Sequence, residues 1–306
     1  MLRTPIRFAL LAGVCLAAAG LGLAQDLVLD VPYVPTRYPV VDEMLRLARV
    51  SKDDVVYDLG CGDGRLVIGA AVKYGARGVG FDIDPERIKE CLENAERAGV
   101  KDKVRFVLGD LFEADFREAT VMPMYLLTSV NLKLRPKILR EMRPGSRVVS
   151  HNFGMDSWVP DEKTVIRVED IAHDVLLWIV PANVSGAWAW KLEDGGPARA
   201  CRLEISQKFQ MIEGRLLVAG TEADIKSLKL QGDKIVCAAE VQLKGKAIAL
   251  SFEGRATGHE IAGLAKVTTG GKTEALAWKA SRAPETMVRI DDDPSWWGSG
   301  LNIQHF

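Results

Sequence analysis

The residues best suited to chemistry lie in one stretch, Val56-Tyr57-Asp58-Leu59-Gly60-Cys61-Gly62-Asp63-Gly64-Arg65, where three glycines occupy alternate positions beside two aspartates. Glycine lets a backbone turn sharply and approach a ligand without a Cβ in the way. The apolar run before the loop reads as a strand and the pattern after it as a helix. The unpaired N–H groups that open such a helix suit a carboxylate or a phosphate. A tight turn that binds nothing is the plain alternative, and this residue set in this context disfavours it.

A dinucleotide site is the rival functional reading. Its fingerprint is G-x-G-x-x-G, whereas this loop runs Gly60-x-Gly62-x-Gly64. Asp58, two residues before the first glycine, would also repel a pyrophosphate. A ligand that carries both an ammonium and a carboxylate satisfies both halves of the loop, and the amino-acid end of S-adenosylmethionine is such a ligand. Asp82 closes a second apolar strand and Asp110 a third. These acids stand at successive strand ends on the edge that carries the loop, which suits ribose hydroxyls and the adenine amine respectively.

The elements that must position these groups alternate. After the extended Pro32-Tyr33-Val34-Pro35-Thr36, the spacing of Val40, Met44, Leu45 and Ala48 predicts a helix. Strands are expected at Val55–Leu59, 78–81, Val104–Leu108, 120–127 and 147–150, with helices at 66–74, after the Asp84 cap, and at 137–142. Ile88, Cys91, Leu92 and Ala95 are the expected buried face of the middle helix. Strands at 165–169 and 175–180 read as a closing hairpin. This alternation predicts an α/β Rossmann-like domain, a parallel sheet covered on both faces.

From Gly186 the period changes. Short alternating segments separated by Glu213-Gly214, Gly232-Asp233, Gly245, Thr257-Gly258 and Gly270-Gly271 predict an all-β antiparallel barrel or sandwich. Its opening, Gly186-Ala187-Trp188, resembles that of the lipocalins. The expected division is a leader at 1–24, a cofactor-binding domain at 25–183, a β-rich domain at 184–283 and a tail at 284–306. Cys201 and Cys237 would pair only if they lie on adjacent strands.

The glycine loop, Val79-Gly80-Phe81-Asp82 and Gly109-Asp110-Leu111 together resemble the class I S-adenosylmethionine-dependent methyltransferases. Pro32-Tyr33-Val34-Pro35-Thr36, Asp63-Gly64-Arg65 and Val159-Pro160-Asp161 are similar to a smaller group, which includes the lysine methyltransferases of the mitochondrial ATP synthase c-subunit and adenine nucleotide translocase. The resemblance covers roughly residues 32 to 162. It implies cofactor contacts at Thr36, Asp58, Gly60, Cys61, Gly62, Asp82, Ile83, Asp110 and Leu111, and methyl transfer to a lysine amine. Tyr125 and Asn131, after the fourth strand, are the candidates for the acceptor pocket, with His151 at the end of the fifth. Met122-Pro123 departs from the uninterrupted apolar run expected in that fourth strand. Two other readings are a methyltransferase with a small apolar acceptor held by the C-terminal strands, and an exported binding module without turnover.

Composition narrows the partners. A formal net charge of -1 gives no basic footprint for nucleic acid. Arg3 and Arg7, an apolar run from Phe8 to Leu23, and the small residues Gly22 and Ala24 form a signal-peptide layout. It predicts export to the periplasm with cleavage near Ala24. The alternative is an uncleaved anchor, through which alone the chain would touch a membrane. No Cys/His spacing suggests a metal site.

Overall fold

In the computed structural model the described residues are 31–193, 196–288 and 290. The leader, its cleavage site and most of the tail, Trp296 and Trp297 included, lie outside them.

The first sheet has the order β3-β2-β1-β4-β5-β7-β6, from β1 (Val55–Leu59), β2 (Arg77–Asp82), β3 (Val104–Leu108), β4 (Val121–Met124), β5 (Arg147–His151), β6 (Glu162–Val168) and β7 (Ile171–Ile179). β1 to β5 pair in parallel, and β7 lies antiparallel between β5 and β6. All five residues of β1 are buried, as a central strand covered on both faces requires. One face packs Val56, Val121 and Val149 against α1 (Tyr38–Leu47) and α2 (Arg65–Tyr74). The other packs Met122, Met124 and Val148 against α4 (Thr128–Glu141). α3 (Pro85–Arg97) begins as expected, with Asp84 accepting from the N–H of Glu86 at 2.8 Å. The strand order reverses between β1 and β4, and in open α/β sheets such a switch point forms the ligand crevice.

The second sheet is a closed barrel of eight antiparallel strands. They are β8 (Gly186–Leu192), β9 (Arg199–Lys208), β10 (Met211–Val218), β11 (Thr221–Gln231), β12 (Lys234–Leu243), β13 (Lys246–Thr257), β14 (Glu260–Thr269) and β15 (Lys272–Arg282). β15 returns to pair with β8 through Ser281↔Ala189 and Arg282↔Trp188. One end is held by Arg282, whose guanidinium lies 4.8 Å from the Trp188 ring centre and donates to the Ser185 carbonyl at 2.9 Å. The barrel encloses its own apolar core, in which Trp190, Phe252 and Trp278 pack ring against ring. Between the sheets, Phe209 stacks on Trp158 at 5.5 Å, and the Trp158 indole donates to the Gln210 side chain at 2.9 Å.

Several local expectations are corrected. Leu92 is 57% exposed, so the buried face of α3 is Cys91 and Ala95. β4 stops at Met124 and does not reach 127. Pro123 has no N–H to give a neighbour, and the ladder to β1 is limited to Val56↔Val121. α4 starts nine residues earlier than expected and carries Pro136 in its interior, where the sequence suggested a helix start. Cys201 on β9 and Cys237 on β12 are separated by β10 and β11 and so do not lie on adjacent strands. Inward barrel side chains such as Trp188, Leu216, Ile261 and Ala265 are 0% exposed and belong to the barrel's apolar core.

Candidate active site

β1 delivers Asp58 and then the glycine loop to the crevice. The N–H groups of Gly60 and Cys61 both donate to the Phe81 carbonyl at 2.8 Å, which pins the loop to the end of β2. Gly60, Gly62 and Gly64 have φ of 76°, 55° and 79°, a region that other residues enter only with strain. At Gly62 a Cβ would lie 2.5 Å from the Tyr33 ring. Space and dihedral both demand glycine there.

α3 holds the loop from behind. The Cys91 thiol donates to the Gly62 carbonyl at 3.0 Å, and the Asn94 amide donates to the Asp63 carbonyl at 2.9 Å. Arg65 forms a bidentate pair with Asp63, at 2.8 and 2.6 Å, and donates to the Thr36 carbonyl at 2.6 Å. The same guanidinium therefore ties the Pro32–Thr36 segment over the loop. Thr36 is buried, and Tyr33 lies under the Arg87 guanidinium at 4.7 Å.

Asp58 is 2% exposed. Burial, with Asp82 and Asp63 nearby, pushes its carboxyl well above the usual carboxylate range. Among the described residues no cation or hydrogen-bond donor reaches it. A buried carboxylate surrounded by like charge is a site for an external cation, and the ammonium of an amino acid fits.

Asp82 accepts from the N–H of Gly62 at 2.8 Å and from that of Asp84 at 3.0 Å, and is half-buried, with lone pairs left for hydroxyls. Ile83 is 40% exposed beside it. Asp110 is exposed and caps its own turn, accepting from the N–H of Phe112 at 2.8 Å, and Leu111 is half-buried. A groove of about 1090 Å³ runs from Asp110 along Phe81, Val79 and Tyr57 to Arg143. It does not include the glycine loop. Cys61 lies 3.8 Å from Cys91, and that contact together with burial raises its thiol, so it is no nucleophile.

Across the switch point, β4 and β5 end in a second group. Leu126 meets the glycine loop, its Cδ2 3.2 Å from where a Gly60 Cβ would be. Tyr125 stacks on His151 at 3.9 Å and lies 6.0 Å from the Phe153 ring. Asn131 is fully buried on α4; its amide donates to the Phe153 and Gly154 carbonyls at 3.1 and 3.3 Å, while its Oδ1 has no partner. Asn131 thus shapes the loop beyond β5. The structure places Asp58, the predicted loop, Asp82 and Tyr125 at the ends of the adjacent strands β1, β2 and β4. Sequence reasoning did not single out Tyr33, Arg65, Asn94 or His173, although Tyr33 and Arg65 lie in motifs that carried the resemblance.

Comparison with known proteins finds methyltransferases. The ANTKMT methyltransferase domain family matches residues 58–162. A protein-lysine N-methyltransferase of Saccharolobus islandicus (strain REY15A) is 51% identical over 153 residues, covering 49% of this chain and 94% of that protein. The ATP synthase c-subunit lysine N-methyltransferase of Xenopus laevis is 33% identical, over 44% of this chain and 58% of its own length. Among solved structures, an RNA methyltransferase from Salinibacter ruber in complex with S-adenosyl-L-homocysteine is 53% identical, over 49% of this chain and 96% of that one, with a TM-score of 0.47. The family match ends before the barrel begins.

Proposed function

We propose, for a chain that belongs to the class I S-adenosylmethionine-dependent methyltransferases of the ANTKMT group, that the acceptor is the ε-amine of a protein lysine. When bound, S-adenosylmethionine supplies a methyl carbon on a sulfonium, open to in-line attack by an amine whose new N–C bond forms as the C–S bond breaks. Asp58 would hold the amino-acid ammonium, the Gly60–Gly64 backbone its carboxylate, and Asp82 the ribose. The residues' own task is to orient the two reactants and to manage the acceptor's proton.

The observation that carries the lysine reading is the 51% identity to a protein-lysine N-methyltransferase almost all of whose length is covered. Were Asp82 and Asp110 to hold the adenosine at the ends of β2 and β3, the methyl group would lie toward β4, where Tyr125 offers a ring that suits an ammonium. A lysine ammonium must lose a proton, which costs about 4–5 kcal/mol at pH 7 from a reference pKa near 10.4. A neighbouring sulfonium lowers that cost.

The test is transfer of labelled methyl from S-adenosylmethionine to the proteins and RNA of the native cells. Acid hydrolysis of the protein fraction should release label as methyl-lysine. Label in RNA, or in a small apolar molecule, would overturn the assignment.

A further inference from the structure

Resting on the lysine reading above, we infer that His151 and His173 form a two-ring conduit that carries the acceptor's proton from the crevice to solvent. His151 ends β5, on the methyl-transfer side of the glycine loop, with Tyr125 stacked on it at 3.9 Å. Its Nε2 lies 2.8 Å from Nδ1 of His173, near the start of β7. His151 is 1% exposed, and its Nδ1 is buried without a hydrogen-bond partner. A buried polar atom without a partner carries a penalty of about 1–3 kcal/mol, and a donor arriving from the crevice would relieve it. His173 is half-buried and so reaches water.

Among the described residues no acid or base is paired with either ring apart from the other. α1 faces the upper sheet with Val40, Val41 and Met44. Asp174, paired to Lys163 at 2.8 Å, lies on the opposite face of β7. The Arg37–Glu169 pair is exposed at the β6–β7 turn. Burial, with His173 beside it, lowers the His151 imidazole to about 4. A ring held neutral is a poor store for a proton and a suitable relay for one.

The proton balance is closed. The ammonium Nζ gives a proton to Nδ1 of His151; Nε2–H of His151 gives its own to Nδ1 of His173; Nε2–H of His173 gives one to water. No charge rests on His151, the amine is left with the lone pair it needs, and both rings, now protonated on Nδ1 and bare on Nε2, rotate back before the next turnover.

Two measurements on the full chain test this without any acceptor. With S-adenosylhomocysteine bound, long-range nitrogen NMR of the imidazoles, assigned with His151→Asn and His173→Asn, should show a bare Nδ1 and a protonated Nε2 on His151 at about neutral pH. A proton on Nδ1 would overturn the conduit. Sinefungin, a cofactor analogue with an amine where the methylsulfonium stands, should bind His151→Asn roughly 10-fold or more weakly, while S-adenosylhomocysteine changes by less than about twofold. Equal loss for both ligands, or loss for neither, would contradict the proposal. Because neither readout needs a methyl acceptor, the conduit can fail while the lysine assignment, which stands on the labelled-methyl experiment, holds.

Discussion

The N–H of Gly62 donates to the Asp82 carboxylate at 2.8 Å, so the acid placed to meet the ribose also sets the shape of the loop that meets the amino-acid end. Asp82→Ala removes a ligand contact and a loop brace at once. It should weaken S-adenosylmethionine by about 1.5–3 kcal/mol, the range for a hydrogen bond to a charged group. Titration calorimetry checks this, and an unchanged affinity would remove Asp82 from the site.

Asp58 gives a pH signature. Its raised carboxyl holds a proton in the free protein at pH values above its ordinary 3.8, and an incoming ammonium favours the ionised form. Cofactor binding should therefore release a proton, and affinity should rise with pH until Asp58 is ionised in the free protein as well. Calorimetry in two buffers of different ionisation enthalpy should report that release for the native chain. Asp58→Asn should show none.

His151 shifts in the opposite direction, from 6.5 to about 4. Between those values the unfolded chain binds a proton that the native ring refuses, so stability falls as pH drops from about 6.5 to 4. The loss should be about 1–3 kcal/mol, the upper figure being unscreened. Urea unfolding of His151→Phe over that range should show a flatter dependence than the native chain.

The barrel is expected to be separable. The family model matches residues 58–162 alone, ahead of the barrel, and every proposed cofactor contact precedes Phe112. A chain ending at Pro181 should fold and bind S-adenosylmethionine. It loses Phe209 from the face of Trp158, and deletion of a buried Phe costs about 3–5 kcal/mol, so its melting point should be lower. A truncated chain without ordered circular dichroism would show that the two sheets depend on one another.

Much of this was legible in the sequence because it rests on local rules. Glycine spacing, strand-end acids and the Asp84-Pro85 cap need only neighbours in the chain, and the parallel sheet follows from its alternation. Strand period and turn residues likewise announced an antiparallel β-domain, leaving barrel or sandwich open. What escaped depends on partners distant in sequence. Pro136 looks like a helix start and sits inside α4, because packing of Leu134 and Ile138 on the sheet overrides its local preference. Leu92 fits a helical stripe but lies at its outer edge. His173 had no local signal at all: its meaning comes from the antiparallel placement of β7 beside β5, which sets it against His151.

The central claim is that Asp58, the glycine loop and Asp82 form one cofactor site, and equilibrium calorimetry of S-adenosylmethionine on the purified full chain, beside Asp58→Ala and Asp82→Ala, tests it most directly. The account predicts saturable binding at one site per chain, with both variants folded and each weaker by roughly 10-fold or more. Absence of binding to the native chain, or native affinity in both variants, would contradict it.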